Sequence, residues 1–176
     1  DSIVSTAIRL AKDGTKSALV AVAAAARSAP QGDEQALQVH LRAAIEPFDT
    51  VKGGVQEFER TGAYPSQLHS IEEVPLALAF LITSGGDYTE AVLGAVNYGR
   101  DSDSIAGMVG AIIGAMHGKS RLPARWVDEI GPRNRIDFDA AGRDLLAVFE
   151  RADAAAQARA QLRRQELAAL MRGNSS

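Results

Sequence analysis

Four glycines, at positions 107, 110, 114 and 118, recur at spacings of three and four through the apolar run that starts at Ile105. That spacing sets them along one side of a helix, where an interior glycine costs about 0.8–1 kcal/mol relative to alanine. Close approach of another helix is the simplest compensation, so Gly110 and Gly114 are expected to face one at short range. A membrane origin for the stripe does not fit. The run from Ile105 to Gly118 is shorter than the roughly 20 apolar residues that a spanning helix needs. Helical spacing recurs elsewhere, no strand-period alternation persists anywhere, and no internal repeat is present. The expected fold class is all-α, with about seven to nine helices.

Immediately before this run stands Tyr98-Gly-Arg-Asp-Ser-Asp-Ser104. Asp101 and Asp103 are two residues apart and would point about 200° from each other in a regular helix. In a turn that enters a helix, such a pair can converge on one cation, with the Ser104 hydroxyl beside it. Oxygen donors without thiolates suit Mg, Mn or Ca rather than zinc or copper. The same residue types are also favoured helix caps, and a carboxylate at a helix N-terminus gains about 0.3–1 kcal/mol from the dipole. The residues alone leave both readings open.

The longer string Asn97-Tyr-Gly-Arg-Asp-Ser-Asp-Ser-Ile-Ala-Gly-Met-Val-Gly-Ala-Ile-Ile-Gly-Ala115, followed by Leu122-Pro-Ala-Arg-Trp126, resembles the C-terminal signature of the ADP-ribosylglycohydrolase family. That signature is an Asn-x-Gly-x-Asp-x-Asp-[Ser/Thr] turn, a small-residue helix and a Pro-x-x-Trp element. The likeness extends upstream through Ser70-Ile-Glu-Glu-Val-Pro-Leu-Ala-Leu-Ala79 and Glu90-Ala-Val-Leu-Gly-Ala-Val96, and so covers residues 70–130. The resemblance implies a compact multi-helix bundle, of which residues 1–150 form the C-terminal part and residues 151–176 a terminal helix and tail. It implies a hydrolase that cleaves the glycosidic bond of ADP-ribosylated substrates or of a related ribosyl metabolite.

By the same resemblance, Asp101, Asp103 and Ser104 are half of the ligand set for a pair of Mg2+ ions, with Mn2+ as a substitute. Tyr98, Gly99 and Arg100 would flank the substrate, Arg100 pairing either with a phosphate or with Asp103. The family's other ligands lie in a Gly-Asp-x-x-Gly segment and a Thr-Asp-Asp run. Neither string occurs in these 176 residues. The chain is therefore expected to be the second half of a longer protein, completed by a preceding segment or a partner chain that also supplies the acid or base. The family includes crystallins as well, so a non-catalytic structural or binding role is the alternative. A turn that holds Ca or Mg purely for structure is a third reading.

At 176 residues the chain fits one domain, and 46% hydrophobic with 23% charged residues is ordinary for a folded protein. A net charge of -3 and a pI near 5.6 give no basic footprint for nucleic acid. The absence of cysteine excludes disulfides, thiolate metal sites and cysteine nucleophiles. No basic-then-apolar signal pattern is visible from Asp1 to Leu10, which makes a cytoplasmic location the expectation.

In chain order, Ile3, Val4, Ala7, Ile8 and Ala11 form a first helical face, with Asp13-Gly14 as its stop. A second helix is expected over residues 15–28. Asp33 can cap a third, in which Leu37, His40, Leu41, Ala44 and Ile45 share a face until Pro47. His40 there suits a satisfied boundary position better than a ligand. Residues 46–69 are expected to hold one short helix and an exposed connection. Ser70-Ile-Glu-Glu73 reads as a capping box, although Pro75 offers a competing start. Asp87-Tyr-Thr-Glu90 is a second box, and Gly99 ends the helix that it opens. Trp126 is expected as a packing anchor or a stacking platform, and Gly131-Pro132 as another stop. A long last helix begins near Asp137 or Asp139 and reaches Met171.

Overall fold

A computed structural model describes residues 1–30, 32–48 and 69–173. Among these residues there are eight α-helices, two short 3-10 turns and no strand. The helices are α1 (Ser2–Leu10), α2 (Asp13–Arg27), α3 (Glu34–Ile45), α4 (His69–Thr83), α5 (Tyr88–Tyr98), α6 (Ser102–His117), α7 (Ala124–Asn134) and α8 (Phe138–Gly173). The expected all-α class holds. The expectation of a short helix and exposed connection over residues 46–69 lies mostly outside the described residues; Glu46–Phe48 forms a 3-10 turn. Two compact units divide the chain, Asp1–Pro123 and Ala124–Ser176.

In the first unit α4 is the central element. Six consecutive residues, Leu76 to Leu81, are all buried, and a helix that is apolar all round can only be interior. Against it pack α2, through Ala18, Leu19, Val22, Ala23 and Ala26, and α6, through Ile105, Val109 and Ile113. The small side chains of α2 let two backbones approach closely. α5 lies alongside α6, and α3 lies on α2.

Local signals set most of the boundaries. The Asp33 carboxylate accepts a hydrogen bond from the Ala36 amide at 2.9 Å, and Asp87 accepts one from Glu90 at 2.9 Å, so both cap as expected. Two punctuation marks behave otherwise. Asp13-Gly14 begins α2 instead of ending α1: Asp13 takes a left-handed φ of 44° and the chain re-enters helix there. At Pro75 the helix has already started six residues earlier, at His69. Proline removes one ladder donor, but this one is fully buried in the packed centre, and burial there outweighs the missing bond.

The glycine stripe of α6 separates into two kinds. A Cβ added at Gly110 would lie 3.4 Å from the Tyr88 hydroxyl and 3.5 Å from Val92 Cγ2, so α5 crosses close there. Among the described residues an added Cβ at Gly114 or Gly107 meets nothing within 4 Å, so no described helix faces Gly114 at the short range expected of it. The reason is angular. At about 100° per residue, Gly107 and Gly114 fall about 20° apart, whereas Gly110 sits about 60° around the axis from the first and about 40° from the second. Gly110→Leu is expected to destabilise by about 1–3 kcal/mol through overpacking. Gly114→Ala should instead stabilise by about 0.8–1 kcal/mol, the helix propensity difference. Thermal unfolding of the two variants checks both signs.

In the second unit Gly131-Pro132 does not stop α7, which continues to Asn134. Its closure comes at Arg135, whose φ is 58°. There the Ile136 amide donates to the Gly131 carbonyl at 2.9 Å and the Arg135 amide to the Pro132 carbonyl at 3.2 Å. Gly131 is needed in that closure, because the Ile136 carbonyl oxygen lies 3.1 Å from where its Cβ would be. Trp126 is half-buried in α7. Asp137 caps α8 by accepting from the Ala140 amide at 2.8 Å. Along α8, Leu145, Leu146, Phe149 and Leu167 are exposed. No helix among the described residues is long and apolar enough to cross a membrane.

Candidate functional site

The aspartate turn is the corner between α5 and α6, and its backbone is unusual over two successive residues. Tyr98 ends α5, Gly99 follows with φ 79° and ψ -162°, and Arg100 has φ 57°. Gly99 pays no steric penalty in that region, whereas a residue with a Cβ in a left-handed conformation costs on the order of 1–2 kcal/mol. Asp101 then occupies the N-cap position of α6 with φ -84° and ψ 56°. Its side chain makes no capping hydrogen bond to the helix. Asp103, exposed, and Ser104, half-buried, lie in the first turn.

Beneath the corner a polar cluster gathers side chains from three helices. Glu72 of α4 is the one charged residue among the described residues that is buried, at 7% exposure. Its Oε1 accepts a hydrogen bond from the Tyr98 hydroxyl at 3.1 Å, and its Oε2 lies 3.0 Å from Arg100 Nε. Arg42 of α3 donates from Nη2 to the Tyr98 carbonyl at 2.9 Å, satisfying one of the last acceptors of α5. The same guanidinium carbon stands 5.0 Å from the Tyr98 ring centroid, within cation–π range. Asn97 donates from Nδ2 to Glu34 Oε1 at 2.6 Å. Among the described residues no buried side-chain polar atom lacks a partner.

Burial pushes the Tyr98 hydroxyl well above the ordinary tyrosine range, and the adjacent Glu72 charge, with the hydrogen bond to it, raises it further; Arg42 opposes this in part. Tyr98 is thus neutral and donating. The six residues singled out from the sequence therefore split. Asp101, Asp103 and Ser104 are brought to one end of a rigid helix. Tyr98 is only 1% exposed and points into the core, edge-on to Phe80 with ring centroids 6.0 Å apart. Arg100 pairs with Glu72, a partner that the sequence did not offer.

Glu72 and Arg42 are the residues that sequence reasoning passed over. A carboxylate just ahead of the apolar run Leu76–Leu81 was the available signal for Glu72; for Arg42 there was none. His40 donates from Nε2 to the Ala25 carbonyl, 3.1 Å away, as a boundary histidine does.

Two carboxylates and a hydroxyl are hard donors that suit Mg2+ in kind. They fall short in number, since Mg2+ favours six oxygens and fills open positions with water. Among the described residues no cluster of three or more His, Asp or Glu stands close enough to hold a metal ion.

A sequence model of the family described as ADP-ribosylglycohydrolase matches residues 2–158. Over 60 residues the chain is 35% identical to "ADP-ribosylarginine hydrolase Tri1" of Serratia proteamaculans, covering 34% of this chain and 16% of that protein. It is 30% identical over 128 residues to an uncharacterized protein of Archaeoglobus fulgidus, covering 67% of this chain and 41% of that one. It is 29% identical over 103 residues to the uncharacterized protein YegU of Escherichia coli, covering 58% and 30%. The chain spans less than half the length of each of these relatives. No solved structure matches it.

Proposed function

The chain belongs to the ADP-ribosylglycohydrolase family, and from that premise we propose that it carries the Asp101, Asp103 and Ser104 half of a hydrolase site that cleaves a glycosidic bond of ADP-ribose. One observation carries the reading: two carboxylates and a hydroxyl, Asp101, Asp103 and Ser104, are gathered at the N-terminal end of a single helix by a corner whose backbone is left-handed at Gly99 and Arg100. Asp103 and Ser104 stand in the first turn behind Asp101. All three rest on α6, whose Ile105, Val109 and Ile113 are fully buried, and a rigid base of that kind is what pre-organised ligands require.

A hard divalent ion at this turn would supply positive charge and an ordered water next to the ribose. Hydrolysis breaks the bond from the ribose anomeric carbon to its leaving nitrogen or oxygen; the hydroxyl of water goes to carbon and a proton to the leaving atom. This chain's part is to hold its two carboxylates and one hydroxyl in place. The remaining ligands and the proton-transfer group are assigned to a preceding segment or a partner chain, seated near the start of α6. Arginine-linked ADP-ribose is the substrate to assay first, because one relative is named an ADP-ribosylarginine hydrolase.

Calorimetric titration of Mg2+ or Mn2+ into the 176-residue chain tests the proposal. Weak binding is expected, lost in Asp101→Asn and Asp103→Asn, with no hydrolysis until a segment bearing Gly-Asp-x-x-Gly and Thr-Asp-Asp is joined. Tight binding of two ions, or turnover by this chain alone, would overturn the half-site reading. Unchanged binding in Asp101→Asn would remove the metal role.

A further inference from the structure

Arg100 is a non-glycine residue with a left-handed φ of 57°, directly before Asp101 and directly after Gly99 with φ 79°. Nothing in its own chemistry favours that conformation, and such a residue persists only where its surroundings over-determine it. Those surroundings are Glu72 Oε2 at 3.0 Å from Arg100 Nε, and Glu72 Oε1 at 3.1 Å from the Tyr98 hydroxyl. One buried carboxylate thus grips both sides of Gly99. Arg42 holds the Tyr98 carbonyl at 2.9 Å, so the chain cannot swing away at its helix end either.

We infer that Glu72 is a positioning residue for the aspartate turn: by holding Arg100 in its left-handed conformation it sets the direction in which Asp101 and Asp103 leave the corner. The inference rests on the reading of that turn as a metal site. It goes beyond it by assigning the alignment to a residue on a different helix that itself stands outside the ligand set. Partners that orient metal ligands without touching the metal typically change affinity 10–100-fold when removed. Glu72 has a further property that suits the role. It lies on α4, whose residues Leu76 to Leu81 are all buried, so the turn is held from an enclosed helix.

Mn2+ serves as the probe, titrated into the isotopically labelled 176-residue chain while the amide resonances of Asp101 to Ser104 are followed by NMR, which reads weak binding as well as tight. Glu72→Gln keeps the size of the side chain and its ability to accept from Tyr98, and removes the charge that holds Arg100. The midpoint for paramagnetic broadening is expected to rise at least about tenfold. The strong intraresidue amide-to-Hα contact of Arg100, a mark of left-handed backbone, should weaken without metal present. Arg100→Gly in the Glu72→Gln background should restore the midpoint, because glycine adopts left-handed φ without help. A merely structural role for Glu72 would not be rescued in that way.

An unchanged midpoint in Glu72→Gln overturns the inference, and so does a double variant that stays as weak as the single one. Should Glu72→Gln fail to fold, Arg100→Gln breaks the same pair from its partly exposed end and is read in the same manner. Absence of broadening at Asp101 to Ser104 in the parent sinks the metal reading instead. The Arg100 backbone signature, measured without metal, then decides by itself whether Glu72 holds the turn.

Discussion

Phe80→Ala is expected to destabilise the protein by about 3–5 kcal/mol, the usual cost of deleting a fully buried phenyl ring. Phe80 is 1% exposed on the central helix α4. Its ring meets Tyr98 edge-on at 71°, an arrangement that adds about 0.5–1.5 kcal/mol beyond area burial. One turn earlier on the same helix as Tyr98, α5 comes so close that a Cβ at Gly94 would lie 3.0 Å from Phe80 Cδ1. The deletion therefore opens a void between α4 and α5, which already approach closely at Gly94. Denaturant unfolding measures the loss through the midpoint at constant slope. A loss below about 1 kcal/mol would mean that the helices close over the gap, and would contradict the tight packing seen at Gly94.

Raising the pH past the ordinary tyrosine range is expected to weaken the fold through Tyr98. The direction follows from the sign of the shift. An unfolded tyrosine releases its proton near pH 10, whereas the buried hydroxyl facing Glu72 holds its proton to well above that. Below about pH 10 the phenol is protonated in both states and the contribution of this group is fully present. Above it the unfolded state is favoured, by about 1.4 kcal/mol for each further pH unit until the folded group also titrates. The charged groups facing it are Glu72 from α4, which resists ionisation, and Arg42 from α3, which favours it. Comparing unfolding midpoints from pH 8 to pH 11 in the parent and in Tyr98→Phe isolates the effect from other titrating groups. Tyr98→Phe should be less stable at pH 8, having lost the hydrogen bond to Glu72, and yet fall less steeply on the alkaline side. Parallel alkaline limbs would show that Tyr98 does not hold its proton as described.

What the sequence determined by itself is what acts within one turn of chain. Asp33 and Asp87 cap the helices that follow them, Gly99 ends α5, and apolar spacing marks the buried faces of α2, α5 and α6. These are contacts between residues three or four apart, so a linear reading contains both partners. The same holds for the placement of Asp101, Asp103 and Ser104 at a helix start, and for the likeness to the family, which is itself a pattern of short spacings.

Only the tertiary structure decided the rest. Gly110 and Gly114 differ by only about 40° on a helical wheel, but among the described residues α5 lies over one and not the other, and that depends on where a second helix crosses. Pro75 and Gly131-Pro132 are breakers by local propensity, overridden where burial or a closing loop compensates for the missing donor. Most of all, the chemistry under the aspartate turn was not legible. Arg42 and Tyr98 are 56 residues apart, and Glu72 and Tyr98 are 26 apart. A charged residue carries no sequence mark that distinguishes a solvated side chain from one that folding will bury against a distant helix, because the difference lies in the dielectric and the partners that the assembled fold provides.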